Sequence, residues 1–164
     1  MDEKKRNEIL HILEGNSRLT PKDVAIMIGT SEEECAAAIR QMEEDQIICG
    51  YHTIINWEKV EEEHTTSMVE LRVTPQGSGG YDKIAEYLCQ FPQVETLYLM
   101  SGAYDFLVII KGKSLKDISL FISSKLASID EVLGTTTHFI LTKYKEEGLQ
   151  LQTYKKDGRM VITP

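Results

Sequence analysis

The first 45 residues alternate between short amphipathic segments and polar or glycine-containing breaks. Residues 3–13 carry apolar side chains at helical spacing behind a charged start, and Gly15-Asn16 ends this run. A second segment begins at Thr20-Pro21, where a hydroxyl caps a helix and proline suits its first turn, and it ends at Gly29. The pattern predicts two short helices.

A third helix is indicated by Ser31 followed by three glutamates. This is a capping-box pattern, in which the Ser31 hydroxyl and the Glu34 carboxylate each accept a backbone N–H. The helix is predicted to continue to about Asp45, and its inward residues are Cys35, Ala38, Ile39 and Met42. Because a glycine turn joins the second and third helices, the pattern predicts a helix-turn-helix unit.

An extended pattern follows the third helix. Residues 47–57 are predicted to form a strand or wing, and the acidic run at residues 58–64 favours a solvated linker. We therefore expect a first domain of residues 1–57 and a linker of residues 58–64.

The rest of the chain alternates between strand-like and helix-like segments. Strands are predicted at residues 66–74, 94–100, 104–110 and 132–142, and helices at residues 81–90 and 115–126. The order βαββαβ predicts a ferredoxin-like second domain over residues 65–145, so the fold class is α+β. Apolar strand residues are expected to supply both faces of the sheet, one of which a dimer would bury: Leu71, Val73, Leu97, Leu99, Val108 and Ile110.

The last 19 residues, 146–164, are predicted to form a C-terminal extension. A hairpin is expected from residues 149–155 and 160–163, around Asp157-Gly158, because Asp-Gly suits a tight turn.

Composition narrows the class of protein. The 164 residues include 18 basic and 26 acidic side chains, a net charge of −8, which argues against a surface that is basic throughout. No apolar run approaches the ~20 residues that span a bilayer, so a soluble, cytoplasmic protein without membrane contact is expected. Cys35, Cys49 and Cys89 lack the spacing of a zinc site or disulfide framework and are expected to be buried thiols. We expect no metal and no cofactor.

Short motifs in both domains follow one another in a recognisable order. Ile28-Gly29-Thr30-Ser31 lies at the helical turn, and Ile48-Cys49-Gly50-Tyr51 follows the third helix. In the second domain, Ser101-Gly102-Ala103-Tyr104-Asp105-Phe106-Leu107 joins two predicted strands, and residues 132–137 begin the last strand. Over about residues 2–145 the chain resembles the Lrp/AsnC family, the feast-or-famine transcription regulators. The resemblance implies a winged helix-turn-helix that binds DNA and a ferredoxin-like domain that binds an effector.

The resemblance also assigns candidate DNA-binding residues, but the third helix departs from the family's pattern. The candidates are Lys22, Thr30, Ser31, Arg40 and Gln41. Family members usually carry several basic residues in this helix, whereas here Arg40 is its single base among acidic and alanine residues. Because a glutamate near phosphate is repelled, we expect weakened DNA binding.

For the second domain, the resemblance implies a homodimer, higher oligomers such as an octamer, and an amino acid or similar effector bound between dimers. From chemistry alone, the Asp105 carboxylate is able to hold an ammonium group. The backbone N–H groups of the turn are able to hold a carboxylate. A plain hairpin in which Asp105 accepts turn N–H bonds is the alternative. The candidate effector-binding residues are Met100, Gly102, Ala103, Tyr104, Asp105, Thr135, Thr136 and Thr137.

Two other functions remain open at this point. The acidic third helix favours a ligand-sensing modulator that does not bind DNA and forms mixed oligomers with a DNA-competent relative. More remotely, sirohaem decarboxylases are similar to this family in fold, although the chain has few clustered basic residues to hold propionates. The scattered histidines do not predict a catalytic site, and we expect no enzymatic activity.

Overall fold

The computed structural model describes residues 1–75 and 79–152. The chain divides into two compact units, of which the first is Met1–Ile55 and the second begins at Asn56. In the described part of the chain, no helix has the length and apolar character needed to cross a membrane.

The first unit is a bundle of three helices, α1 (Glu3–Gly15), α2 (Pro21–Ile28) and α3 (Glu32–Glu44). Helix α1 runs beyond the predicted residue 13, because the Asn16 N–H still donates to the Ile12 carbonyl. The predicted inward residues of α3 are buried, apart from half-buried Ala38. The core is formed by Ile9, Leu13, Val24, Ala25, Cys35, Ile39 and Met42.

The helix ends show how the local sequence fixes the turn between α2 and α3. A complete capping box lies at the start of α2, where Thr20 and Asp23 each accept the other's backbone N–H. The reciprocal capping box predicted at Ser31 is wrong, because only the Ser31 half forms. The Glu34 carboxylate instead accepts the Thr30 hydroxyl at 2.6 Å. Gly29 ends α2 in the left-handed conformation, at φ 64° and ψ 54°.

The strand predicted at residues 47–57 is absent. Residues 49–56 have no regular secondary structure, and Trp57–Lys59 form a short 3-10 helix. A strand needs a partner for its backbone groups, and the described helical unit contains no strand to pair with. The segment is tied to α3 by the Tyr51 hydroxyl, which donates to the Glu43 carboxylate at 2.8 Å.

The second unit has the predicted βαββαβ order. Its elements are β1 (Thr65–Val73), α4 (Gly80–Cys89), β2 (Val94–Leu99), β3 (Phe106–Gly112), α5 (Leu115–Phe121) and β4 (Val132–Phe139). The predicted second helix is divided, since α5 continues as a π-helical turn at Ile122–Leu126. All neighbouring strands are antiparallel, in the order β2-β3-β1-β4.

Strand register places the apolar residues unevenly on the two sheet faces. Val69 pairs with Val108, and Leu71 pairs with Phe106. These buried residues share a cluster with Ile84, Leu88, Ile118 and Leu126 from the helical side. The expectation that six apolar strand residues supply both faces is wrong, because paired positions point to the same side and all six lie on the helix-covered face. The open face carries the intervening residues: Met68, Glu70, Arg72, Thr96, Tyr98, Leu107, Ile109, Thr136 and His138.

Two smaller predictions also change. Cys35 is buried, but Cys49 and Cys89 are exposed, so the expectation of buried thiols is wrong for two of the three. Strands β5 (Lys145–Glu146) and β6 (Leu149–Gln150) form a hairpin around Glu147 and Gly148, both at positive φ. The hairpin predicted around Asp157-Gly158 falls largely outside the described residues.

The end of the described chain is hydrogen-bonded to the start of the second unit. The Asn56 side-chain amide donates to the Leu151 carbonyl at 2.8 Å. The Lys143 N–H donates to one oxygen of Glu58 at 3.3 Å, and the Gln152 side-chain amide donates to the other. We call residues 143–152 the C-terminal clasp.

Candidate DNA-binding and effector-binding sites

The candidate DNA-binding residues lie on α2, on the turn and on α3. Lys22 is exposed in the first turn of α2, and Arg40 is exposed on α3. Ser31 is the N-cap of α3, where its hydroxyl accepts the Glu34 N–H at 3.2 Å. Thr30 is half-buried and bonded to Glu34, and the Gln41 amide donates to Asp45 at 2.9 Å. Of these five side chains, Lys22 and Arg40 form no hydrogen bond or ion pair within the described chain.

Acidic side chains surround these candidates, and two of these acids lie beside a cation. Glu34 lies 3.6 Å from the Met1 ammonium. The hydrogen bond from the Thr30 hydroxyl holds the pKa of the Glu34 carboxyl below its usual value. Asp45 lies 3.9 Å from the Arg6 guanidinium. The α3 glutamates with neither a hydrogen-bond nor an ion-pair partner for their side chains in the described residues are Glu32, Glu33 and Glu44, all exposed. The α3 surface therefore combines one free arginine with several uncompensated acids.

The predicted effector loop is a hairpin connection between β2 and β3, organised by Asp105. The Met100 N–H donates to the Asp105 carbonyl at 2.7 Å, and the Asp105 N–H donates to Leu71 at 2.9 Å. One carboxylate oxygen of Asp105 accepts the Val73 N–H at 2.8 Å, and the other accepts the Tyr81 hydroxyl at 3.1 Å. The latter bond raises the pKa of Tyr81. The Asp105 carboxylate is thus occupied in fastening the loop to β1 and α4.

Four of the eight predicted effector-binding residues lie together around one cavity of about 270 Å³. These are Ala103, Tyr104, Thr135 and Thr136. Met100, Gly102, Asp105 and Thr137 do not line it. Thr135 and Thr137 pair with buried Leu71 and Val69, so both side chains face the helices, and Thr136 is the threonine of the three that directs its hydroxyl to the open face.

Three further residues complete the lining and were missed by sequence reasoning: Glu70, Arg72 and Gly134. The register explains their presence, because Glu70 pairs with Thr136 and Arg72 pairs with Gly134 across β1 and β4. A sequence signal exists in β1, where polar residues at positions 70 and 72 alternate with apolar ones. Sequence alone does not tell which distant strand lies beside them. Among the described residues, no three His, Cys, Asp or Glu side chains are grouped as a metal site.

Comparison with known proteins identifies both units. The family model for the Lrp/AsnC ligand-binding domain matches residues 66–150, and that for a winged helix-turn-helix DNA-binding domain matches residues 2–48. The HTH-type transcriptional regulator YugG of Bacillus subtilis is 42% identical over 161 residues, which cover 98% of this chain and 97% of that protein.

Solved structures agree with this identification. An AsnC family transcriptional regulator from Agrobacterium tumefaciens superposes with a TM-score of 0.67 at 27% identity, covering 89% of this chain and 94% of that one. A Neisseria meningitidis transcriptional regulator in complex with L-Met gives a TM-score of 0.70 at 21% identity, covering 92% and 97%, and so shares the fold. The chain belongs to the Lrp/AsnC family: it is a transcriptional regulator with a helix-turn-helix DNA-binding domain and a ligand-binding domain, and it is not an enzyme.

Proposed function

We propose that this regulator binds DNA through α2, the turn and α3, and that an amino acid or similar small effector, bound between dimers beside residues 103–104, modulates the binding. The observation that carries the effector half is the cavity itself, where a cation and an anion, Arg72 and Glu70, lie with the Thr136 hydroxyl. An amino acid carries the complementary pair of charges. The complex of the Neisseria regulator with L-Met supports this class of ligand. We propose that the protein acts in the cytoplasm.

In the DNA-binding half, Arg40 and Lys22 are proposed to contact DNA directly. Both are exposed cations without a partner in the described chain, and an arginine on the second helix of a helix-turn-helix reaches base edges or phosphates. Ser31, Thr30 and Gln41 are proposed to take secondary phosphate contacts. Because Thr30 and Gln41 are bonded to Glu34 and Asp45, they must exchange those bonds to reach DNA.

The salt dependence of binding tests this half. Fluorescence anisotropy with the DNA upstream of the regulator's own gene is expected to give an affinity that falls steeply with salt. Arg40→Gln should weaken binding and reduce the slope of log K against log salt by about one. Lys113→Gln, which removes a charge from the second unit, should leave both quantities unchanged. Equal effects of the two substitutions would assign the change to net charge rather than to α3.

A non-DNA-binding modulator is the second candidate function, and the exposed Glu32, Glu33 and Glu44 favour it. Such a protein would form mixed oligomers with a DNA-competent relative. Absence of salt-sensitive binding at low salt, with amino acids added, combined with co-purification of such a relative, would replace the first candidate with this one.

Residues around the effector loop are proposed to divide into two roles. Ala103, Tyr104 and Thr136 contact the ligand with their side chains and Thr135 lines the cavity beside them, whereas Asp105, Met100, Gly102 and Thr137 shape and hold the loop and strand that carry them. The division is supported by the cavity lining and by the bonds of the Asp105 carboxylate. Isothermal titration against the twenty amino acids tests for an effector, and absence of heat from all of them would remove amino-acid sensing.

We further propose a homodimer formed through the open sheet face, with dimers assembling into higher oligomers such as an octamer. The support is the half-buried apolar set on that face: Met68, Leu107 and Ile109. Assembly would cover these side chains and remove them from water.

A further inference from the structure

One stripe of α3 faces away from the core of the helical unit. Cys35, Ile39 and Met42 are buried on the inner side of the helix. Because successive side chains turn by about 100°, the centre of the opposite side carries exposed residues at spacings of four, three and four. We call these residues the outer stripe of α3: Glu33, Ala37, Arg40 and Glu44.

The charges of the outer stripe are free, whereas two acids beside it are held within the unit. Glu34 and Glu43 each accept a side-chain hydroxyl, at 2.6 and 2.8 Å. The exposed side chains of Glu33 and Arg40 form no hydrogen bond or ion pair with any described residue. Both are therefore able to meet a partner without first breaking an internal contact.

The spacing of the outer stripe matches the spacing of base pairs. The second helix of a helix-turn-helix lies in the major groove, with its N-terminal residues at the base edges. Glu33 and Arg40 are seven residues apart, which is about 10 Å along the helix, or about three base-pair steps. Glu33, Ala37 and Arg40 are thus able to face neighbouring base pairs. Glu44 lies about 6 Å further along the helix, beyond these pairs.

Arg40 and Ala37 supply two contacts that distinguish bases. The Arg40 guanidinium is able to donate to both major-groove acceptors of guanine, O6 and N7. The Ala37 methyl group is able to pack on the methyl group of thymine. Neither contact explains an acid on the same stripe.

Glu33 has the most selective chemistry of the three residues. A carboxylate only accepts hydrogen bonds, so in the major groove it requires an amino group. Cytosine offers its N4 amino group, whereas guanine and thymine present acceptors that repel a carboxylate. Adenine has an amino group but places the N7 acceptor beside it, which disfavours the second carboxylate oxygen. Glu33 therefore favours cytosine over the other three bases.

We propose that Glu33 determines sequence specificity by accepting the N4 amino group of one cytosine, while Arg40 binds a guanine and Ala37 a thymine methyl group in neighbouring base pairs. This inference rests on the proposed function, in that the chain must bind double-stranded DNA. It gives Glu33 a role in recognition, although the same charge beside a phosphate only weakens binding.

The first experiment uses the full-length wild-type chain and changes the DNA. Selection from a duplex library with a randomised segment, at low salt, is expected to enrich sites that contain a cytosine and a guanine within about four base pairs. Fluorescence anisotropy with the other base pairs at the cytosine position should show binding about 5- to 150-fold weaker. Replacing this cytosine by 2-pyrimidinone, which lacks the N4 amino group, should weaken binding to a similar degree.

The second experiment changes the protein. Glu33→Gln should shift the preference at the cytosine position to adenine, because a glutamine amide pairs with both N6 and N7 of adenine. It should also abolish the difference between cytosine and 2-pyrimidinone. The matched control is Glu44→Gln, which removes the same charge from the same stripe. This control should change the affinity by the same factor for every sequence and leave the base preferences as in the wild type.

The outcomes distinguish the role of Glu33 from DNA binding itself. A selected site whose preferences respond to Glu33→Gln no differently than to Glu44→Gln would overturn the role of Glu33 and leave DNA binding intact. Salt-sensitive binding without any enriched sequence would do the same. Absence of salt-sensitive binding to any duplex by the wild-type chain would overturn the DNA-binding function together with this inference.

Discussion

Asp105 links two elements, β1 and α4, through a single carboxylate. It receives the Val73 N–H of β1 and the Tyr81 hydroxyl of α4, while its own backbone closes the loop before β3. Asp105→Ala should lower the free energy of unfolding by about 1–3 kcal/mol, because it leaves the Val73 N–H without its acceptor. Urea unfolding followed by circular dichroism measures this change.

Tyr81→Phe is the matched control, since it removes only one of these bonds and should cost about 1 kcal/mol or less. An Asp105→Ala protein as stable as the wild type would contradict the fastening role. Conversely, lost effector binding in this variant is ambiguous unless its loop remains folded, so the variant alone does not identify a ligand contact.

Tyr51 provides a pH-dependent prediction in the helical unit. Tyr51 is 48% exposed, but partial desolvation of its hydroxyl, followed by the hydrogen bond to Glu43, raises the pKa of Tyr51 to about 12. The folded pKa lies above the unfolded value of about 10, so the stabilising contribution is complete below pH ~10 and is lost as the pH rises towards about 12.

The measurement is the ultraviolet absorbance of tyrosinate in the wild type minus that in Tyr51→Phe, as the pH is raised. The difference should titrate near pH 12, well above an ordinary tyrosine. A difference curve with its midpoint near pH 10 would contradict the bond between Tyr51 and Glu43.

The sequence predicts which residues line the cavity only where they are close along the chain. Ala103 and Tyr104 belong to one short motif and are correctly grouped. Arg72 and Glu70 reach the same cavity through the pairing of β1 with β4, a contact between residues more than 60 positions apart. A turn motif also cannot reveal that Asp105 directs its carboxylate towards β1 rather than towards a ligand.

At the scale of elements, Gly29 and Gly102 allow the effect of backbone conformation to be distinguished from the effect of steric crowding. Gly29 lies at φ +64°, whereas Gly102 does not adopt a left-handed φ, and a Cβ added at either meets no atom within 4 Å. Gly29→Ala should therefore destabilise the chain by about 1–2 kcal/mol through backbone strain alone. Gly102→Ala should change the stability by less than ~0.5 kcal/mol.

Thermal and urea unfolding of the two variants make this comparison directly. Equal destabilisation by both substitutions would show that φ is not the deciding quantity. Reduced effector affinity in a fully stable Gly102→Ala protein would instead reveal close approach of the ligand to this loop.

Secondary structure in the second unit was predictable because alternation and helical spacing are strong there. The four strands form close to the predicted segments, since each has neighbours that satisfy its backbone. Residues 47–57 have a similar extended composition, but they lack a partner strand in the helical unit. The π-helical turn after α5 was not predictable from the apolar spacing, which is the same for a continuous α-helix.

For the whole molecule, acidity is concentrated in the unit that binds DNA. Residues 1–55 contain 11 acidic and 6 basic side chains, a net charge of −5, while residues 56–164 contain 15 and 12, a net charge of −3. Since the first unit is about half the length of the second, its charge density is more than threefold higher. In the proposed mode of binding, approach to DNA therefore depends on the local arrangement of Arg40 and Lys22 rather than on the overall field.

The proposed dimer gives a prediction at the same scale. Ile109→Glu, on the open sheet face, should shift the protein to a monomer, because a buried interface would contain an unpaired charge. Sedimentation velocity measures the shift. The control is Leu120→Glu, which adds the same charge on exposed α5. A dimer unaffected by Ile109→Glu would contradict association through this face.

The C-terminal clasp has a practical consequence for dividing the protein. The ligand-binding family model ends at residue 150 and begins at residue 66. A fragment cut to those limits would lose Asn56 and Glu58 at one end and Leu151 and Gln152 at the other, and with them the three hydrogen bonds that join the clasp to residues 56–58. A fragment intended for crystallisation or spectroscopy of the effector domain should span at least residues 56–152, and a purification tag should be attached beyond Gln152 through a spacer.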